Sequence, residues 1–253
     1  MTMTTPSHPA QVHAPETLAR LAQVSTATLT SLLYKRGFRN VYIQGARPLR
    51  PGQRLLGPAF TLRYIPSRED LDPITVFRDP QHPQRVAVET IPPGAVLVMD
   101  CRGDTSVASA GSILATRLQV RGAAGIVTDG GLRDAAGIAA LDMPAYCSGA
   151  SAPTNLIRHR AIDLNLPIAC GGVPVYPGDL MLGDDDGVVC IPAHLADELS
   201  GEGAEMERFE LFVLGEVGKG RSIIGLYPAT DPDTTTRYHG WLRARGEAVP
   251  ADR

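Results

Sequence analysis

The chain has 253 residues, 43% of them hydrophobic and 20% charged, with a formal net charge of −3. That balance suits one large globular domain, and without a long basic run it argues against nucleic acid as a partner. No apolar stretch reaches membrane-spanning length and the polar start MTMTTPSHPAQVHAPE lacks a signal-peptide apolar region, so a soluble, cytoplasmic protein without a membrane partner is expected.

In chain order, residues 1–14 read as a disordered arm. PETLARLAQVSTATLTSLLYKRG carries helical spacing, with Ser25 or Thr26 as an N-cap opening a second helix. RLLGPAFTLRYI reads as a strand entered from a glycine turn. PSREDLDPITVFRDPQHPQ is a polar, proline-bearing excursion with room for one short helix. GAVLVMD (94–100) is an apolar run fit for a buried strand. It is followed by a loop, a helix from Gly111 to Val120 and the apolar run AAGIVTD (123–129). That order is a βαβ unit, which predicts a parallel pair with a right-handed crossover. AAGIAALDMPAYCSG adds a helix and a short strand. LPIACGGVPVYPGDLMLGDDDGVVCIP, with close β runs broken by GG, PGD and GDDDG, predicts hairpins. AHLADELSGEGAEMERFELFVLGEVGKG reads as a long amphipathic helix interrupted at the glycines of 201–203, and residues 229–253 as a loosely ordered tail that Trp241 partly anchors. The expected architecture is α/β: a central mixed sheet, a βαβ crossover, a β-rich second half and helices at both ends.

Two loops could carry chemistry. In DTSVASAGSI (104–113) the small residues Ser109, Ala110, Gly111 and Ser112 leave backbone N–H groups open beside a helix N-terminus, a setting for a carboxylate or phosphate. The plainer reading is a strand-to-helix turn with a serine cap. In TDGGLRD (128–134) two glycines permit close backbone approach, Arg133 can grip a carboxylate with two parallel hydrogen bonds, and Asp134 is a hard oxygen ligand suited to Mg²⁺. The plainer reading there is a glycine turn before a helix with an aspartate in its first turn. Both loops sit at carboxyl ends of strands joined by one crossover, where open α/β sheets place ligands, so they should be neighbours in space. Asp179, Asp184, Asp185 and Asp186 form an acidic group without EF-hand spacing, and turn chemistry accounts for it. Cys101, Cys147, Cys170 and Cys190 form no CxxC pair, the six histidines give no zinc spacing, and no GxSxG, P-loop or strand-linked GxGxxG is present.

Taken in order, STATLTSLL, GPAFTLRYI, PPGAVLVMD, ASAGSILATRLQVRGAAGIVTDGGLRD, MPAYCSG and PGDLMLGDDDGVVCIP resemble the RraA-like proteins across roughly residues 17–227. That superfamily includes the regulator of ribonuclease activity A. It also includes class II pyruvate aldolases that cleave 4-hydroxy-4-methyl-2-oxoglutarate and 4-carboxy-4-hydroxy-2-oxoadipate and decarboxylate oxaloacetate. The resemblance implies a swivelling β/β/α-type sandwich over 15–228, assembled as a homotrimer or hexamer with sites at subunit interfaces. It implies that Arg133 binds the carboxylate and ketone oxygen of a 2-oxo acid. Asp134 would hold Mg²⁺ or Mn²⁺ largely through waters, and the backbone of Ser109, Ala110, Gly111, Ser112 and Ile113 would cradle the carboxylate. Glu207 or Glu210 is a candidate to reach a neighbouring subunit's site. The expected activity is a metal-dependent carbon–carbon lyase. The alternatives are a dehydratase or hydratase of a 2-keto-3-deoxy sugar acid, or a non-catalytic regulator of a ribonuclease. Two positions depart from the aldolase pattern: serine stands at 112 where the aldolases carry an aspartate twenty-one residues before the arginine, and at Ser31 where they carry an acid. Ser112 therefore becomes the residue on which proton handling turns. The segment 68–89 is longer than in compact relatives and is expected to shape an entrance or an interface.

Overall fold

A computed structural model describes residues 13–250. Residues 1–12 of the expected arm and 251–253 of the expected tail lie outside that range. In chain order the elements are α1 (Pro15–Leu21), α2 (Thr26–Lys35), β1 (Arg47–Pro48), β2 (Leu55–Pro66), α3 (Pro83–Thr90), β3 (Val96–Asp100), β4 (Ala108–Ala110), α4 (Ser112–Val120), β5 (Gly125–Thr128) and β6 (Gly131–Leu132). They continue with α5 (Ala135–Ala139), β7 (Ala145–Cys147), β8 (Gly149–Ala150), β9 (His159–Leu164), β10 (Ile168–Cys170), β11 (Val173–Val175), β12 (Leu180–Asp184), β13 (Gly187–Ile191), α6 (Ala196–Gly218) and α7 (Pro232–Ala244).

The main sheet runs β1-β7-β5-β3-β2-β12-β13, with β9 also on β2. Strands β2, β3, β5 and β7 are mutually parallel and the other pairings antiparallel. The edge strands β1 and β13 approach each other, and Tyr42 bridges to Val189, so the mixed sheet is nearly closed. The predicted crossover is present, from β3 through β4 and α4 to a parallel β5.

Strand alternation explains why the central runs are apolar throughout. Every residue of β3 is buried. Leu97 and Met99 pack into a layer under α3, α4 and α5, while Val96 and Val98 face the inside of the curved sheet with Tyr146, Met181 and Val188. A third core holds α1, α2 and α6 against β12 and β13. The two predicted hairpins, β10–β11 and β12–β13, both form. The aspartates of the acidic group do turn and capping work. Asp184 accepts from Thr26 N at 2.8 Å and Thr26 Oγ1 at 2.7 Å, Asp185 from Gly52 N at 2.6 Å, and Asp179 from Tyr176 N and Ala193 N. Ser25 is the N-cap of α2, accepting from Thr28 N.

Two expectations are corrected. The long helix is not interrupted at 201–203: α6 is continuous, and Gly203 is the point of contact, since a Cβ there would lie 2.8 Å from Val24 Cγ1. The tail is not loose over 232–244: α7 is capped by Asp231 with Pro232 in its first turn, and Tyr238, Trp241 and Leu242 pack on Phe209 and Phe212 of α6. Among the described residues no helix is long and apolar enough to cross a membrane.

Candidate active site

The two loops read from the sequence lie edge to edge. β4 and β6 pair in parallel, Ala108 with Gly131 and Ala110 with Leu132, and Arg133 N donates to Ala110 O at 3.0 Å. β8 flanks β6 on its other side. This small three-stranded sheet sets the Arg133–Asp134 pair directly against the entry to α4.

Asp134 sits just before α5 with φ 56° and ψ 36°, a left-handed conformation uncommon for a residue with a side chain. Its place is fixed by Ser112, whose backbone N and Oγ both donate to Asp134 Oδ2, at 3.1 and 3.0 Å. Those two bonds hold the carboxyl below the usual aspartate range, so it is anionic. Gly111 makes the approach possible. A Cβ there would lie 2.8 Å from Arg133 Nε and 2.9 Å from Asp134 Oδ2. The Arg133 side chain thus runs over Gly111, and its guanidinium has no hydrogen bond or ion pair among the described residues.

The predicted cradle is rearranged in detail. The Ser112 amide is already taken by Asp134. Gly111, as the N-cap of α4, has no side chain to satisfy the amides that follow, so those of Ile113 and Leu114 face outward. Ser109 is fully buried, and its Oγ meets Cys101 Sγ at 2.8 Å and Thr128 Oγ1 at 3.3 Å. It contributes backbone only; its carbonyl is held by Gln84 Nε2 at 2.6 Å. Burial pushes the Cys101 thiol up to about 12, so it is inert as a nucleophile.

Together these residues floor a cleft of about 340 Å³. Ile74, Phe77, Gln84 and Arg85 form its roof, and Thr154 and Asn155 close one end. Sequence reasoning had not singled out any of these six. The only signal was the extra length of 68–89, which indeed shapes the entrance. α3 opens on Pro83 in its first turn, a start signal hidden by the surrounding prolines and polar residues. Ser31 lies on α2, which packs on α6, β12 and β13 and does not line the cleft. Glu207 accepts from Ser25 N at 2.8 Å and Glu210 from Tyr227 Oη at 2.7 Å, so both are engaged within their own chain. A larger hollow of about 640 Å³ beside Phe38, Val41, Val173 and His194 contains neither Arg133 nor Asp134.

The donors at the cleft floor are hard oxygens, Asp134 Oδ1 and Ser112 Oγ, and no cluster of three or more His, Cys, Asp or Glu side chains occurs among the described residues. That set fits Mg²⁺ or Mn²⁺ held by one carboxylate, with water or ligand oxygens completing the shell, and does not fit zinc.

Comparison with known proteins agrees with this geometry. The chain is 35% identical over 147 residues to a provisionally named 4-hydroxy-4-methyl-2-oxoglutarate aldolase of Halalkalibacterium halodurans, covering 58% of this chain and 63% of that protein. The match therefore spans less than two thirds of that relative's length. The crystal structure of Streptomyces coelicolor RraAS2, described as an unusual member of the RNase ES inhibitor RraA protein family, superposes with a TM-score of 0.71 at 32% identity, over 81% of this chain and 98% of that one. An uncharacterized protein from Pseudomonas syringae pv. tomato shares the fold, with a TM-score of 0.72 at 24% identity over 84% and 97% of the two chains. Residues 22–190 match the family described as RraA-like: Aldolase/RraA, and that span contains β4, β6, Arg133, Asp134 and Asn155. The chain belongs to the RraA-like family.

Proposed function

We propose that the protein is a carbon–carbon lyase acting on a small 2-oxo acid in the β4–β6 cleft, releasing pyruvate by retro-aldol cleavage or by decarboxylation of oxaloacetate. The observation that carries this reading is the unpaired Arg133 guanidinium beside an anionic Asp134, both opposite the uncapped first turn of α4. The relative named as an aldolase supports the lyase class. The substrate carboxylate would rest on the amides of Ile113 and Leu114, and Arg133 would lie against the 2-oxo oxygen, where negative charge grows as the carbon–carbon bond breaks. Asp134 would hold Mg²⁺ or Mn²⁺, which when bound supplies a Lewis acid for that oxygen. Ser112 acts as a positioning residue through its two bonds to Asp134. A serine hydroxyl is a poor proton acceptor, so decarboxylation, which needs no base to deprotonate a substrate hydroxyl, asks least of this site. The sites would be completed in a homotrimer or hexamer, for which exposed Leu214, Ile223 and Ile224 offer apolar surface.

The test is pyruvate release from oxaloacetate with Mg²⁺, with Mn²⁺ and with chelator. Wild type is expected to exceed the uncatalysed rate only with metal, and Arg133→Ala to fall to background. Equal rates for the two proteins would end the enzyme reading. A second reading, ribonuclease regulation, draws on the 32% identity to RraAS2. Its signature would be inhibition of an RNase E-type enzyme that survives Arg133→Ala.

A further inference from the structure

We infer that the roof of the cleft carries a second anion subsite, made by Arg85 and Asn155, that selects 2-oxo acids with a second carboxylate remote from the 2-oxo group. The inference rests on the 2-oxo acid reading above and adds the class of substrate and the residues that choose it.

Arg85 projects from α3 into the cleft and is half-buried. Its guanidinium carbon stands 5.0 Å from the centre of the Phe77 ring, which covers one face of the cation. It has no hydrogen bond and no ion pair among the described residues. The acids of the same excursion are engaged elsewhere: Asp72 by Arg160 Nη1 at 3.0 Å and by Arg68 N, and Asp79 by Gln81 N. Asn155 is the independent observation. It is 3% exposed and lines the cleft, yet its side-chain Nδ2 has no hydrogen-bond partner. Its Oδ1 accepts from Thr154 Oγ1 at 3.2 Å, and Thr154 is tied to β4 by a bridge to Ala108, so the unpartnered donor is held in place rather than free to turn away. A buried amide donor left unmade destabilises a fold, and native proteins keep such groups where something else satisfies them.

The chemistry of the pair fixes the ligand class. Arg85 and the Asn155 amide offer N–H donors only, and Gln84, the third polar roof residue, has spent its amide on Tyr64 and Ser109. Asp134 is the only acidic side chain on the cleft wall, and it belongs to the floor. An acceptor-only group matches this end. A carboxylate does so in a two-pronged bond to the guanidinium, whereas a hydroxylated sugar chain presents donors that would find no acceptor. With Arg133 at one carboxylate and Arg85 at the other, the cleft reads a short dianion.

The experiment is calorimetric titration with pyruvate, which has one carboxylate, and with 2-oxoglutarate, which has two, in the presence of Mg²⁺. Arg85→Gln should weaken 2-oxoglutarate by about 10- to 100-fold and leave pyruvate within about 2-fold, with Arg85→Lys between wild type and Arg85→Gln. Asn155→Asp, which puts a like charge at the same end, should also lose 2-oxoglutarate selectively. Unchanged pyruvate binding doubles as the control that each variant folds. If Arg85→Gln weakens both ligands alike, or neither, the subsite is refuted while the 2-oxo acid reading stands. If neither ligand binds wild type, that reading fails and the subsite falls with it. Arg133→Ala should weaken both ligands, which separates the floor from the roof.

Discussion

At the scale of single residues, the site depends on one absent side chain and one serine. Gly111 has an extended backbone, φ −128° and ψ −178°, so alanine there meets no backbone strain. The added Cβ instead collides with the ends of the Arg133 and Asp134 side chains at 2.8–2.9 Å, and these must move. Gly111→Ala is therefore expected to keep its thermal midpoint nearly unchanged while kcat/KM on oxaloacetate falls by about 10- to 100-fold, the cost of misplacing catalytic groups by about an ångström. A large loss of stability without that kinetic loss would mean the glycine serves packing alone. Ser112 gives a second test at the same spot. Its Oγ is 3.0 Å from Asp134 Oδ2, so Ser112→Asp brings two carboxylates together. Without a cation they repel, and with one they share it. The variant should melt below wild type in chelator and gain more than wild type from millimolar Mn²⁺. Equal responses to Mn²⁺ in the two proteins would show that Asp134 does not face a metal.

At the scale of elements, α7 shows how a segment that reads as loose becomes ordered by its partner. Thr234, Tyr238 and Leu242 recur at helical spacing, but the helix is polar on average, and what holds it is the aromatic stripe of Phe209 and Phe212 on α6. Leu242 is fully buried, and Leu242→Ala is expected to cost about 2–4 kcal/mol locally. Hydrogen exchange should speed up in α7 and leave α4 and β5 unchanged; matching acceleration in β5 would show that α7 is part of the central cooperative unit. The same contrast explains what the sequence made legible. Strands β3 and β5 and helix α4 were readable because their signals are local: apolar runs, a small-residue turn and a period. The adjacency of Arg133 and Asp134 to Gly111 followed from crossover logic. The roof residues Phe77, Gln84 and Arg85 and the end residue Asn155 were not readable, since their meaning lies in contacts across 20 to 70 positions of sequence that no local pattern carries. Gln84 is the clearest case, a polar residue at the start of a short helix whose burial and bond to Ser109 O exist only once β4 is in place.

At the scale of the whole molecule, the nearly closed sheet buries polar groups as well as apolar ones, and one of them couples stability to pH. His159 opens β9, is fully buried, and packs edge-on to Tyr64 with ring centres 4.8 Å apart. Neither ring nitrogen has a hydrogen-bond partner. Burial, the largest influence, pushes its pKa down from the ordinary 6.5 to about 4, with Asp104 opposing weakly. Between those two values the unfolded chain binds a proton that the folded chain refuses, so stability rises with pH across the window and is lost as pH falls from 6.5 toward 4. The size of the effect is about 2–3 kcal/mol between roughly pH 7.5 and 4.5. Asp129 and Asp179 act in the opposite sense, because burial raises their carboxyls and lets the folded chain hold protons there. Wild type alone therefore reports a sum, and the informative quantity is its difference from His159→Phe. Phenylalanine keeps a ring against Tyr64 and removes both nitrogens. Any packing cost it brings is constant with pH and cancels from the slope. Urea unfolding at the two pH values should show wild type losing about 2–3 kcal/mol more than the variant on acidification. Parallel losses in the two proteins would show that the buried imidazole accepts its proton without unfolding, through a cavity or water that satisfies it.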